Sequence, residues 1–305
     1  MPLAKYSHNK YFSVIKRHKH PHRKKLLKSL AFGAVGVSAL TLVEALALEP
    51  EWIQINEMDL PIKNLPPAFI GKRIIHISDL HCSRVVRVEY LQRCMNRVNQ
   101  LRPDLVVMTG DYITYNGWGR YTQKAINLMG WIRSREGVFA CLGNHDYGVI
   151  RGLRPVRKTL MRELTRGMEE KGIKVLRNQS CVVSIDGQRI WLVGLGDLWG
   201  DDFEPERAFS GVPEDEPVLV LAHNPDSIDY LQDFAADVVM SGHTHGGQVR
   251  VPFMRPPLLP IKNKQYHAGM FEVGGKKLYV NRGLGRLGRF RFNCRPEIAV
   301  FTLTR

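Results

Sequence analysis

Cysteine is scarce in this chain, with five residues in 305, at positions 82, 94, 141, 181 and 294. An odd number at scattered spacings excludes a disulfide framework and a C-x-x-C zinc site. Internal repeats and low-complexity tracts are also missing, so nothing points to a solenoid or a second domain. Acidic residues are absent from residues 1–29, which hold nine Lys/Arg and four His. Nine of the fifteen net positive charges therefore belong to this tail rather than to the body. A nucleic-acid enzyme would spread its basic residues over the working domain, so no nucleic-acid partner is expected. Charge of either sign is missing from Leu30 to Val43, and with Glu44 tolerated the apolar stretch runs to Leu48. As a helix it would reach roughly 28 Å, against a hydrocarbon core of about 30 Å. A basic tail before such a segment is the arrangement of a membrane anchor or an export signal. Arg23-Lys24 lacks the second arginine of a twin-arginine signal. A spanning anchor would place the rest of the chain outside the cytoplasm. A helix lying in the interface, with Glu44 and Glu49 near water, would keep it inside. The expected organisation is a basic tail (1–29), an apolar anchor or signal (30–48) and one globular domain (49–305).

The body, with 24% charged and 44% apolar residues over the whole chain, is ordinary for a globular protein. Against that background five short blocks stand out: Asp79-Leu80-His81, Gly110-Asp111, Gly143-Asn144-His145-Asp146, His223 and Gly242-His243-Thr244-His245. Each follows an apolar run. The spacing of Asp79/His81 and His243/His245 puts both side chains of a pair on one side of an extended segment. Carboxylate, imidazole and amide donors together suit Mn, Fe, Zn or Co rather than Ca or an iron–sulfur cluster. Asp111, with two oxygens, is able to bridge a pair of ions, and two such ions clamp a phosphoryl group and generate hydroxide at neutral pH. The glycines allow close backbone approach where strands end. Taken singly, His223 reads as a strand-end histidine and Asp79 or Asp111 as turn residues or helix caps. Their joint occurrence favours a two-metal hydrolytic site. His76, inside the apolar run Ile74–Ile77, reads as a strand residue.

Periodicity and punctuation predict one α/β domain. Short strands are expected at Trp52–Ile55 and Leu60–Ile62, then strands at Arg73–Ser78, Leu105–Thr109 and Val138–Leu142. Helices are expected at Val88–Leu101, Tyr121–Arg133 and Leu153–Lys171. Further strands follow at Lys174–Leu176, Cys181–Ile185, Arg189–Leu195, Val218–Ala222, Val238–Ser241, Lys277–Val280 and Ile298–Leu303, with a hairpin turn at Asp186-Gly187.

The order D-x-H, G-D, G-N-H-D, H, G-H-x-H resembles the calcineurin-like metallophosphoesterase superfamily over roughly residues 70–300. The resemblance implies a four-layer α-β-β-α sandwich. It implies two divalent metal ions, with Asp79, His81, Asp111 and His245 on one and Asp111, Asn144, His223 and His243 on the other. His145 would protonate the leaving oxygen or stabilise the transition state, and Asp146 would orient His145. The N-terminal apolar segment and the closing N-R-G-L-G…R-P-E resemble the membrane-associated bacterial branch. That branch includes phosphodiesterases and enzymes similar to UDP-2,3-diacylglucosamine pyrophosphohydrolase of lipid A synthesis. Expected partners are a phosphorylated small-molecule or lipid substrate and the surface of a bacterial inner membrane.

Substrate choice is less legible. Five arginines (282, 286, 289, 291, 295) interleave with Leu284, Leu287, Phe290 and Phe292. They read either as a basic lip for an anionic lipid or nucleotide, or as a closing loop with solvated charges. Val251–Ile261, with four prolines, reads as a rigid apolar loop that contacts an acyl chain or covers the cleft. Trp118, Trp199, the Asp197–Asp202 segment, Tyr266 and His267 are further candidates for its border.

Overall fold

The computed structural model describes residues 43–114, 120–150 and 156–305. The basic tail, the apolar segment up to Leu42, Trp118 and the start of the helix expected from Leu153 lie outside the described residues. Val43–Arg305 forms one compact unit. Among the described residues no helix is long and apolar enough to cross a membrane. The described end of the expected apolar helix is a single π-type turn, Glu44–Leu48, followed by a 3-10 turn, Glu49–Glu51.

Two six-stranded mixed sheets face each other. The first runs β1 (Gln54–Pro61), β12 (Glu297–Thr304), β2 (Arg73–Ile77), β3 (Leu105–Thr109), β4 (Gly137–Cys141) and β5 (Ile173–Val175). The second runs β10 (Gly269–Val273), β11 (Lys276–Val280), β9 (Val238–Ser241), β8 (Val218–Leu221), β7 (Gln188–Gly194) and β6 (Gln179–Ile185). β2, β3 and β4 are parallel neighbours, as are β7, β8 and β9. Strands buried on both faces read as continuous apolar runs, and Ile74–Ile77, Leu105–Met108 and Val218–Leu221 do so.

The alternation along each strand splits the core into layers. Ile74, Val107, Phe139, Leu219 and Met240 fill the space between the sheets. Ile75, Ile77, Val106 and Met108 face outward onto helices α1 (Val88–Gln100), α2 (Thr122–Met129) and α3 (Lys158–Glu170). In α1 the buried side chains Tyr90, Leu91, Cys94, Met95 and Val98 form one stripe. Each such burial stabilises the fold by about 1.5–3 kcal/mol before entropy is counted. On the outer face of the second sheet the cover is thin. Among the described residues it consists of a four-residue helix, α4 (Pro205–Ala208), a 3-10 stretch, Pro225–Tyr230, and a loop carrying Leu259, Ile261 and Tyr266.

The two lead-in strands expected at the start are one strand. β1 pairs in parallel with β12 along its whole length, through the polar stretch Asn56–Asp59, because it is an edge strand with one face in water. The helix expected to run to Arg133 stops at Met129, before Gly130. β10, which no apolar run announces, pairs with β11 around Gly274-Gly275.

Candidate metal centre

Every block sits just past the carboxyl end of a parallel strand. Asp79 and His81 follow β2, Asp111 follows β3, and Asn144 and His145 follow β4. From the other sheet, His223 follows β8, and His243 and His245 follow β9. The carboxyl edge of an open α/β sheet is where sites form, because the chain must leave each strand there. Here two such edges converge. The backbone turns abruptly: Asp79, His81, Asp111, His243 and His245 have φ between 46° and 71°. Left-handed backbone at a non-glycine residue costs on the order of 1–2 kcal/mol. Five such positions among seven candidate ligands mark strain that the surrounding hydrogen bonds must offset. The Asp79 and His81 amides continue the ladder onto the carbonyls of Gly110 and Asp111, each at 2.9 Å. The Asp79 carboxylate accepts the His243 amide at 3.0 Å, joining the two sheets. A Cβ on Gly143 would collide with Asp111 and His223, and one on Gly242 with Ser78 and Asp79.

Three groupings bring ligand atoms within 4.8 Å of one another: Asp79/His81/His245, His81/Asp111/His145 and Asp111/His223/His243. Oδ2 of Asp111 faces His81 Nε2 at 3.5 Å and His223 Nε2 at 3.2 Å. Its Oδ1 is occupied by the His145 amide at 2.9 Å. A carbonyl only accepts, so His223 Nδ1 donates to Thr109 O (2.6 Å) and His243 Nε2 donates to Pro260 O (2.9 Å). That leaves His243 Nδ1 a bare acceptor, 3.1 Å from His223 Nε2. On the other side His81 Nε2 and His245 Nε2 face each other at 3.0 Å. Asn144 donates its Nδ2 to Val149 O at 2.8 Å and leaves a buried Oδ1 without a partner. Converging carboxylate and imidazole groups, an orphaned amide oxygen and a glycine-lined cradle fit a pair of divalent cations.

The electrostatics say the same. Burial pushes His81 and His243 down to about 3 and raises Asp79 to about 7. Burial opposes charge on His223 and Asp111 too, yet their contact holds His223 well above its ordinary value and Asp111 well below its own. The buried carboxylates around His223 favour positive charge at this point, which a divalent ion would supply.

All seven candidate ligands, together with His145, come together. Asp146 does not reach the His145 ring, whose Nδ1 has no partner. The Asp146 carboxylate instead accepts the backbone amides of Asp111 (2.8 Å), Tyr112 (2.9 Å) and Gly143 (2.9 Å). The two residues are adjacent in sequence, and the turn that presents His145 sends Asp146 the other way. The expectation of an Asp146–His145 pair is therefore corrected: Asp146 clamps the two loops that carry Asp111 and Asn144. The arginine run is also mostly structural. Arg291 is fully buried and donates to the carbonyls of Cys294 (2.9 Å), Arg282 (2.8 Å) and Gly283 (3.1 Å). Arg282 bonds Glu297, and Arg295 stacks on Trp52 while donating to the Trp52 carbonyl. Arg286 is buried and only Arg289 of the five is exposed. Glu49, expected near water, is buried and caps the amides of Asn293 and Cys294.

Sequence reasoning missed Thr109, whose carbonyl sets the His223 tautomer, and Pro260, which does so for His243. Backbone acceptors leave no signal in a residue code. It left Trp199 undecided; Trp199 packs its edge against His243, with ring centroids 4.6 Å apart. Asp197 holds it there by accepting the Trp199 amide at 2.9 Å. A cavity of about 350 Å³ opens above the cluster, with Asn144, His145, His243 and His245 at its floor. Its walls are apolar: Ile150, Trp199, Val249, Leu258, Leu287 and Phe290. The Gln248 side chain pins one wall, accepting the Leu287 amide at 2.8 Å and donating to the Phe290 carbonyl at 3.1 Å. Tyr266 packs under the second sheet, and His267 accepts the Thr244 hydroxyl on its carbonyl.

The family model described as calcineurin-like phosphoesterase matches residues 72–247. Phosphodiesterase YaeI of Escherichia coli (strain K12) is 34% identical over 256 residues, covering 84% of this chain and 90% of that protein. YkuE of Bacillus subtilis (strain 168), named an uncharacterized metallophosphoesterase, is 35% identical over 288 residues, covering 92% and 97%. UDP-2,3-diacylglucosamine pyrophosphatase LpxG of Chlamydia muridarum (strain MoPn / Nigg) is 31% identical over 312 residues, covering 87% and 94%.

Proposed function

This chain belongs to the calcineurin-like phosphoesterase family and is a metal-dependent hydrolase, and from that premise we propose that it cleaves the phosphoester or pyrophosphate link of a lipid-bearing substrate at a membrane. The observation that carries the substrate class is the apolar wall of the cavity, raised directly over the ligand cluster. A site for small hydrophilic phosphates has no use for six apolar side chains around its mouth, whereas an acyl chain is stabilised by them. UDP-2,3-diacylglucosamine, the substrate in the name of the chlamydial relative, has both parts: a pyrophosphate for the floor and acyl chains for the walls. That reading requires the cavity to face the cytoplasm of a bacterium, with the domain tethered to the inner membrane by residues 30–48. A general phosphodiesterase outside the cytoplasm is the second reading, favoured by the similarity to YaeI.

In this reading Asp79, His81, Asp111 and His245 hold one ion and Asp111, Asn144, His223 and His243 the other. Two divalent ions bound there (Mn, Fe or Zn) would clamp the phosphoryl oxygens and supply hydroxide at neutral pH. The chain's own groups do the rest. The Asp111 loop is held by Asp146, which fixes the carboxylate that faces both halves of the cluster. His145 stands in the cavity with Nδ1 free, which suits it to give a proton to the departing oxygen. Burial lowers its pKa, with Asp111 opposing the shift. His145 also falls in one of the three ligand groupings, so the test must separate the roles.

Full-length protein loaded with Mn is assayed against aryl phosphate mono- and diesters, phospholipids and UDP-diacylglucosamine. UMP release from the nucleotide lipid is expected. His145→Ala should lower kcat about 10²–10⁴-fold while both metals remain bound. Loss of a metal makes His145 a ligand instead, and absence of UMP release removes the lipid reading.

A further inference from the structure

Beside the cavity the surface changes character. Phe253 is fully exposed, and Met254 and Leu258 on the same loop are 68% and 67% exposed. Leu287 and Phe290 stand exposed on the neighbouring lip. The two segments lie side by side, since the Arg250 amide donates to the Phe292 carbonyl at 2.9 Å. Scattered exposed apolar side chains are ordinary, but five on adjoining loops, three of them (Leu258, Leu287 and Phe290) also lining the cavity, mark a contact surface.

The display is built rather than incidental. A turn closed by the Met254 amide on the Val251 carbonyl (3.1 Å) carries Phe253 with φ 64°, left-handed backbone that an aromatic residue rarely adopts. Prolines at 252, 256 and 257 stiffen the loop, so Phe253 is held in water rather than folded back. Neither the conformation nor the exposure stabilises the fold. Arginines stand beside it, and Glu44 borders the same loop. From Gly246 to Arg295 the only acidic residue is Glu272, on β10, and Arg255 and Arg289 are exposed beside the apolar side chains. The Ala45 carbonyl accepts the Arg291 amide and Glu49 caps residues 293 and 294, which ties residues 45–49 to this lip.

We propose that this rim docks on an anionic lipid bilayer, with Phe253 and Met254 entering the boundary between headgroups and acyl chains and Arg255 and Arg289 meeting lipid phosphates. An apolar tip flanked by arginines matches that interface in both polarity and charge. Docking sets the cavity mouth against the membrane, which deepens the lipid-substrate reading above but is tested apart from it.

The five native cysteines are all buried, so one introduced cysteine takes a label selectively. Full-length Phe253→Cys carrying an environment-sensitive fluorophore is mixed with phosphatidylcholine vesicles containing phosphatidylglycerol. A blue shift, a severalfold gain in intensity and quenching by spin-labelled lipid are expected, all weakened by high salt. Met254→Cys serves as a second probe. A label at Asp186→Cys, in the hairpin at the opposite end of the second sheet from the ligands, should stay unchanged. A silent probe at both rim positions overturns the proposal, as does an equal response at 186 or on neutral vesicles. A shift that rises with protein concentration without lipid assigns the surface to a second copy of the chain and also overturns it. UMP release with a silent probe removes docking alone, whereas a responding probe without UMP release removes the substrate reading alone.

Discussion

In the cluster at and beneath the floor of the cavity the seven candidate ligands are buried and polar, and five stand on left-handed backbone; on the rim the side chains are apolar and exposed, carried by loops. The floor comes from the ends of five parallel strands in two sheets, tied by backbone hydrogen bonds and by the Asp146 clamp. The rim comes from two segments of irregular structure, joined by the Gln248 side chain and by a few backbone hydrogen bonds around Arg250 and Phe292. The family match, residues 72–247, contains the whole floor and stops where most of the rim begins. The difference teaches where each property resides. Reaction chemistry needs donors held to fractions of an ångström, which strand ends provide. Selection among substrates needs only a surface of the right polarity, which loops supply and vary freely.

Three experiments press on that division. The largest effect is expected from Asp111→Ala, which removes the one oxygen that faces both halves of the cluster. Turnover should fall by about 10³-fold or more, with metal analysis showing loss at both centres; retention of two ions per chain would sink the shared-ligand assignment. Next is Asp146→Ala. It leaves three buried amides unpaired, each costing about 1–3 kcal/mol, so thermal unfolding should move down markedly. Metal affinity should weaken by roughly 10–100-fold, as for other supports of a ligand shell. Unaltered stability would show that the clamp does not hold the floor. The smallest effect belongs to the rim. Phe290→Ser should raise KM for an acylated substrate by about tenfold, equivalent to about 1.4 kcal/mol of lost apolar contact, with kcat and metal content holding. A fall in kcat of the same size would mean that rim and floor are not separable.

The floor was legible because its residues announce themselves: Asp79, His81, Asp111, Asn144, His223, His243 and His245 are of uncommon type in fixed order beside glycines. The central strands were legible as apolar runs. β10 was not, since its exposed alternation around two glycines looks like loop, and β1 was broken in two because its middle is polar on an edge. The Asp146 role was misjudged for a related reason. A residue next to His145 in sequence looks like its partner, yet a tight turn points neighbouring side chains apart. Arg291 shows the opposite error, a charge read as a surface lip that is buried among carbonyls.

By itself the sequence determined the donor types, their order and the apolar runs that become strands, because those depend on local chemistry and on the two-residue period of a strand. Only the tertiary structure decided that two sheets bring their carboxyl edges together, that carbonyls of Thr109 and Pro260 set the histidine tautomers, and that an apolar rim surrounds the mouth. These depend on atoms far apart in the chain, and on backbone groups that every residue shares and that leave no mark in the sequence.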